Sequence, residues 1–287
     1  MTRTVDEGPG DLDTPSAFAT LTDLVGDGEV VILSGAGLST ESGIPDYRGE
    51  TGRQRRAEPM TYQTFVGSAA ARRRYWARSH LGWRHVARAV PNAGHRAVTE
   101  LQARGLVAGI ITQNVDGLQQ AAGAHSVIEL HGSLDRVVCL DCGRRTARQV
   151  LYRRLNEANP GWSAQVTEIN PDGDAVLPDD RIEAFEVVPC ADCGGVLKPD
   201  VIFFGENVPP ARVRQCYALT EDANVLLVLG SSLTVLSGFR FVRRASELDI
   251  PVVIINHGVT RGHDHAFLTF DAPLGPTLTT LVRSLGP

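Results

Sequence analysis

Lysine is all but missing from this 287-residue chain: Lys198 stands alone beside 27 arginines. We read that bias as a property of the coding sequence rather than of function. Positive charge is not in excess either. The formal net charge is −5, which removes the global basic footprint of a nucleic-acid binder. No apolar run approaches the roughly 20 residues that a membrane-spanning helix needs, so no membrane association is expected. The opening stretch, MTRTVDEGPGDLDTPSAF, is acidic and has no apolar signal core, and transit peptides are poor in acids. Residues 1–15 are therefore expected to be a flexible tail, and the chain to be cytoplasmic and monomeric. Cysteine is scarce and odd in number. The five residues Cys139, Cys142, Cys190, Cys193 and Cys216 argue against a disulfide framework.

What is present is a set of short, β-rich apolar runs at 29–33, 107–112, 126–130, 225–229 and 251–255. They hardly alternate, which fits strands buried on both faces of a parallel sheet. Helix-like segments at about 15–26, 92–104, 210–220 and 238–248 separate several of them, the signature of an α/β fold. Two regions interrupt the alternation. Residues 46–90 hold a helical stretch, and residues 133–200 hold four cysteines and a long polar segment. The expected fold class is α/β: a Rossmann-like parallel sheet from 16–45, 91–132 and 201–287, with helices on both faces. The insertions 46–90 and 133–200 would build a smaller helical and zinc-ribbon lobe. The arginine clusters Arg55–Arg56 and Arg72–Arg74 read as solvated helix faces.

Cys139 and Cys142 form one C-x-x-C, Cys190 and Cys193 a second, and each is followed by glycine. A C-x-x-C turn aims both sulfurs at one point, and two such knuckles complete a tetrahedral thiolate shell for Zn²⁺. Four sulfurs leave no open coordination position, so the expected metal is structural. Cys216 lies in a helical segment and reads as a buried core thiol.

The stretch SGAGLSTESGIPDYR, residues 34–48, follows the first apolar run. Gly35 and Gly37 suggest a turn whose N–H groups meet a pyrophosphate, although a plain tight turn explains the pair as well. A dehydrogenase fingerprint fails here, because Thr40 holds the third glycine position and no second strand follows until about 107. Four further loops after apolar runs carry donors, acceptors or acids: TQNVDGL at 112–118, HGS at 131–133, GSSL at 230–233 and NHG at 256–258. Ligands of an open parallel sheet sit beyond the carboxyl ends of its strands, so these loops together read as one nucleotide site. His131 stands directly after a strand in this set, where an imidazole serves as a base near neutral pH.

Taken with KPDVIFFGE (198–206) and both cysteine knuckles, GAGLST, GIPDYR, TQNVDGL, ELHGS and GSSL resemble the sirtuins, NAD-dependent protein-lysine deacylases. RYWARS, RVVCLDCG, PDGD, SGFRF and the 47 residues between the knuckles resemble the class II branch of that family, typified by mitochondrial sirtuin 4. The resemblance implies that Gly35, Ala36, Gly37 and Ser39 hold the NAD pyrophosphate, and that Pro45, Asp46, Tyr47 and Arg48 close over the nicotinamide ribose. It places Asn114 and Asp116 in the nicotinamide pocket, with Asp116 bonding the carboxamide, and makes Gln113 and Val115 further NAD contacts. Ser231, Ser232 and Asn256 would line the adenosine side, with Leu274 against the adenine, and Gly230, His257 and Gly258 would be further NAD contacts. Val201, Phe204 and Gly205, with Leu233 and Val235, would flank an acylated-lysine peptide as an added strand. His131 and Asn114 would be catalytic, with His131 taking a ribose hydroxyl proton as the acyl group moves to the ribose. NAD would be consumed as co-substrate.

Tyr75 and Arg78 stand three apart on a predicted helix. The pair resembles the Tyr-x-x-Arg by which class III sirtuins hold an acidic acyl chain, and it predicts a preference for acidic or branched acyl groups over acetyl. The plain alternative packs Tyr75 in the lobe and leaves Arg78 solvated. Two other functions compete: mono-ADP-ribosyl transfer, and a non-enzymatic NAD or ADP-ribose sensor.

Overall fold

The apolar runs do assemble into one parallel sheet, seen in a computed structural model that describes residues 15–46, 59–164, 170 and 173–286. The strands are β1 (Val30–Ser34), β2 (Val107–Thr112), β3 (Val127–Glu129), β7 (Val225–Leu229), β8 (Val252–Ile255) and β9 (Leu268–Phe270). They lie in the order β3-β2-β1-β7-β8-β9, every neighbouring pair parallel. Side chains alternate across a strand, and both sides of these strands are apolar. Val30 and Ile32 of β1 enter one core, with α1 (Pro15–Gly26), α4 (Ala93–Ala103) and α10 (Leu274–Ser284). Val31 and Leu33 enter the other, with α8 (Pro210–Glu221) and α9 (Leu236–Glu247). Helices thus cover both faces of a doubly wound sheet.

Strand β9 and helix α10 are absent from the sequence reading. A three-residue strand carries almost no period, and α10 begins Leu-Gly-Pro and is rich in threonine. Burial of Leu274, Leu278, Leu281 and Val282 against the sheet holds that helix together.

The second, smaller sheet is antiparallel, in the order β5-β4-β6, from β4 (Gly132–Cys139), β5 (Arg145–Ala147) and β6 (Leu197–Val201). Around it lie α2 (Tyr62–Gly67), α3 (Ala69–Val86), α6 (Arg148–Ala158) and α7 (Asp179–Glu183); the four-residue α5 (Leu118–Ala121) follows β2. The helical stretch expected within 46–90 is split at Ser68, whose side chain accepts from the Ala71 N–H and starts α3 afresh. Arg72 is not a solvated charge: its guanidinium donates to the last carbonyls of α2, on Phe65 and Val66, each at 3.0 Å. This lobe has its own core, rich in aromatics, and Arg148 is buried there with its guanidinium 5.1 Å from both the Trp76 and Trp83 rings. Among the described residues no helix is long and apolar enough to cross a membrane.

Candidate functional site

The strand order reverses between β1 and β7, and a crevice opens beyond the carboxyl ends of the two strands. There the chain forms a cavity of about 680 Å³. After β1 the backbone enters a tight helical turn, Ala36–Ser42. The N–H of Gly35 donates to the Leu229 carbonyl at 2.9 Å, and that of Gly37 to the Gly230 carbonyl at 2.8 Å. A Cβ on Gly35 would lie 2.7 Å from the Gly230 oxygen, and one on Gly37 2.8 Å from the Gly230 Cα. The glycines are thus demanded first by the approach of two loops. This corrects the reading of their N–H groups as pyrophosphate donors, since both are held by the β7 side. The turn is braced from below. Asn92 donates to the Leu38 carbonyl at 2.7 Å, and the N–H of Gly275 donates to Glu41 at 2.9 Å.

Gly35, Ala36, Gly37, Ser39, Pro45 and Asp46 line the cavity. Tyr47 and Arg48 lie outside the described residues. From the β2 loop come Gln113, Asn114, Val115 and Asp116. Ser39 Oγ donates to Asp116 Oδ2 at 2.7 Å, and Asn114 Nδ2 donates to the Gly35 carbonyl at 2.9 Å and to Ser39 Oγ at 3.1 Å. Burial raises the pKa of the Asp116 carboxyl, against hydrogen bonds from Leu118 N–H and Ser39 that lower it.

His131 enters from the end of β3. Its Nδ1 lies 3.0 Å from the Gln113 carbonyl oxygen and its Nε2 2.7 Å from Ser237 Oγ. Burial pushes its pKa down to about 4, so the ring is neutral at neutral pH. Ser237 escaped the sequence reading as a site residue; its only signal was its place at the head of the SGFRF motif.

Gly230, Ser231, Ser232, Asn256, His257 and Gly258 line the β7–β8 end of the cavity. Asn256 Nδ2 donates to the carbonyls of His257 and Gly258, and His257 pairs with Asp271 at 3.1 Å. Leu274 is not on this wall. It is 6% exposed and packs into the core at the start of α10, which corrects its assignment to the adenine.

Val201, Phe204, Gly205, Leu233 and Val235 border the opposite end of the cavity, with Leu236 63% exposed beside them. One edge of the 204–205 segment is already used: Tyr62 N–H donates to the Phe204 carbonyl at 2.9 Å and Gln63 Nε2 to that of Gly205 at 3.1 Å. Beneath this segment Lys198 is 3% exposed. Its ammonium pairs with Glu206 at 3.0 Å, donates to the Pro199 and Val201 carbonyls, and sits 4.7 Å from the Phe203 ring centre.

Tyr75 borders the cavity, its ring edge-on to Phe65 and Phe203. Arg78 does not. Its Nε donates to the Ala175 carbonyl at 2.8 Å, so the insertion that crosses α3 takes that guanidinium away from the cavity wall.

Far from this cavity the two cysteine knuckles face each other. Gly143 N–H donates to the Cys139 carbonyl and Gly194 N–H to that of Cys190, each at 3.0 Å, and both glycines have positive φ. The four sulfurs lie within 4.8 Å of one another, with Cys139–Cys193 at 3.5 Å and Cys142–Cys190 at 3.9 Å. Tetrahedral Zn–S bonds of about 2.3 Å put sulfurs about 3.8 Å apart, so the donor set fits a zinc ion. Cys216 is buried in the sheet core, and burial pushes its thiol up to about 12.

The sequence profile of the Sir2 family matches residues 35–237. An NAD-dependent protein deacetylase 1 of Streptomyces coelicolor is 60% identical over 281 residues, covering 98% of this chain and 93% of that one. Its namesake in Mycobacterium avium is 47% identical over 263 residues, covering 90% and 92%. Among solved structures, a Sir2 protein with a p53 peptide and NAD⁺ is 28% identical, with a TM-score of 0.75 over 93% of this chain and 98% of that one. A Sir2 protein bound to an acetylated peptide is 27% identical, with a TM-score of 0.73 over 94% and 98%.

Proposed function

The chain belongs to the Sir2 family, and from that premise we propose that it removes acyl groups from protein lysines at the expense of NAD, releasing nicotinamide and O-acyl-ADP-ribose. The observation that carries this reading is His131, a neutral imidazole fixed at the end of β3 on the wall of the crevice. A site that only bound NAD would need no base there.

The residues fit the two substrates. A cavity of about 680 Å³ is of the size that holds a small organic ligand, and it crosses the switch point where dinucleotides bind. In this reading the Gly35–Gly37 turn lies along the pyrophosphate, Ser231, Ser232 and Asn256 along the adenosine, and Asn114 and Asp116 along the nicotinamide. NAD supplies an electrophilic ribose carbon as its nicotinamide leaves. Asp116 is held by Ser39 and by the Leu118 N–H, which leaves its carboxyl oriented before a carboxamide arrives. The peptide would run between Phe204–Gly205 and Leu233–Val235, its lysine passing Tyr75 toward His131. His131 then takes a ribose hydroxyl proton at Nε2, its Nδ1–H kept on the Gln113 carbonyl. Cys139, Cys142, Cys190 and Cys193 would hold a structural zinc, and the small lobe it would brace backs the Phe204–Gly205 side of the peptide cleft through Tyr62 and Gln63.

We assign the chain to the class II branch on the motifs RYWARS, RVVCLDCG and SGFRF and on the long spacing between its knuckles. The acyl group it favours is uncharged rather than acidic, because Arg78 is committed to Ala175 and leaves the cavity wall without that cation. The test is nicotinamide release from NAD with an acetyl-lysine peptide. Wild-type protein should require the peptide, and His131→Tyr should lose ~10²–10⁴ in rate while keeping its fold. Release that is equal with and without peptide would refute the reading.

A further inference from the structure

Ser237 stands in the first turn of α9, on the cavity wall, with its Oγ 2.7 Å from Nε2 of His131. The other ring nitrogen decides what that contact is. A carbonyl oxygen only accepts, so Nδ1, 3.0 Å from the Gln113 oxygen, carries the ring's proton and Nε2 is bare. Ser237 is then the donor, into Nε2. Gln113 is itself fixed, donating to Ser231 Oγ at 2.7 Å. Gly238 packs against the Gln113 side chain, where a Cβ would lie 2.6 Å from Oε1. Imidazole and hydroxyl are therefore held from both sides, by the β2 loop and by α9.

We propose that Ser237 is the positioning residue of His131: it holds Nε2 toward the cavity while the ring is neutral, and accepts the Nε2–H after the ring has taken a proton. This rests on the deacylase reading above. Nε2 has one lone pair, so the ribose hydroxyl must displace the serine proton from it. The ribose O–H bond then breaks toward Nε2 as that oxygen forms its bond to the acyl carbon, whose C=N π pair, set up when the acyl oxygen joined the ribose carbon that nicotinamide left, returns to the lysine nitrogen. The ring is left as an imidazolium with two N–H groups. Nδ1–H keeps the Gln113 carbonyl, and Nε2–H has lost its oxygen to the substrate. Ser237 Oγ, with two lone pairs, then takes that N–H in place of the ribose oxygen. The need is real, because burial opposes charge on this ring and the nearby cation Arg212, anchored on the Leu130 carbonyl, opposes it further. A hydrogen bond to a charged group is about twice as strong as one between neutral groups, so the serine favours the proton-transfer product over the resting ring.

The experiment uses the full-length protein with ¹⁵N-labelled histidine, as wild type, Ser237→Ala and Ser237→Thr. At neutral pH the His131 Nε2 resonance should carry the displacement of an accepted hydrogen bond in wild type and in Ser237→Thr, and lose it in Ser237→Ala. The other histidine resonances report that each variant is folded. In turnover, Ser237→Ala should lower kcat about tenfold, leave KM for NAD and for acetyl peptide within about twofold, and be rescued by threonine. An Nε2 resonance unchanged in Ser237→Ala, or an unchanged kcat in that variant, overturns the proposal. A wild type that shows the Nε2 hydrogen bond but turns over no NAD refutes the deacylase reading and, with it, the turnover role of Ser237.

Discussion

Replacing Gly230 by alanine should cost more than a glycine of the same backbone conformation elsewhere in the chain, and should act on the cofactor as well as on stability. Gly230 has φ +62, a left-handed conformation that costs an L-residue roughly 1–2 kcal/mol, of which the less flexible unfolded chain returns about 0.4–1. The new Cβ would also lie 2.5 Å from the Leu38 nitrogen and 2.7 Å from the Gly37 carbonyl carbon. Non-bonded heavy atoms rest at about 3.5–4.0 Å, so the loops after β1 and β7 must part by about 1 Å. Both neighbours are backbone atoms, and no rotamer change relieves them. Overpacking of this kind costs about 1–3 kcal/mol, which gives roughly 2–4 kcal/mol in all. Gly28 is the control. It has φ +78 with nothing within 4 Å of its Cβ, and it precedes β1, at the sheet end away from the cavity. Gly28→Ala should cost only about 1 kcal/mol and leave KM for NAD alone. Urea midpoints at unchanged m-value give the two stabilities, and nicotinamide release gives KM. Equal midpoint shifts in the two variants, with KM for NAD unchanged in Gly230→Ala, would refute the argument that these glycines serve the meeting of the two loops.

Three further outcomes are expected. Purified protein should hold one zinc, and Cys142→Ser or chelation should unfold the small lobe, because structural zinc binding is worth about 10–16 kcal/mol and is coupled to folding. All three tryptophans, Trp76, Trp83 and Trp162, belong to that lobe, so their fluorescence reports it; a metal-free chain with unchanged fluorescence would contradict this. Arg78→Met should leave acetyl preferred over succinyl and lower stability by about 1 kcal/mol through the lost bond to Ala175; a wild type that favours succinyl, and loses that preference on mutation, would show the opposite. Burial pushes His80, His95 and His131 down to about 4. The unfolded chain therefore binds more protons between that value and 6.5, and stability present above pH 6.5 should be lost as pH falls through the window, by on the order of a few kcal/mol in total. Asp116 and Asp135, raised by burial, offset part of it. Urea midpoints that stay level from pH 7 to 5 would count against buried neutral histidines.

How much of this was legible depends on whether a feature is local or set by a distant partner. The strands could be read because Val30–Leu33 and Val225–Leu229 are apolar on both faces, a pattern each segment carries by itself. The knuckles could be read because four residues and a glycine suffice to aim two sulfurs. The roles of Gly35 and Gly37 were half legible: the turn was visible, but its partner, Gly230, lies almost 200 residues on. Ser237 was out of reach for the same reason, being 106 positions from the imidazole it touches. For Tyr75 and Arg78, spacing on a helix placed both near one face. The path of the 143–189 insertion, which brings the Ala175 carbonyl to Arg78, then decided which of them sees the cavity. Helix α10 depends on tertiary burial that its own Gly-Pro start conceals.

The burial of Lys198 has a chemical consequence. Its ammonium is closed in by Glu206, the Phe203 ring and two carbonyls, and the chain has no second lysine. Folded, the protein offers activated acyl donors no side-chain amine. An enzyme that strips acyl groups from lysines can work among reactive thioesters and acyl phosphates without collecting the modification it removes. One copy cannot serve as a lysine substrate for another, so its output is not divided between its targets and itself.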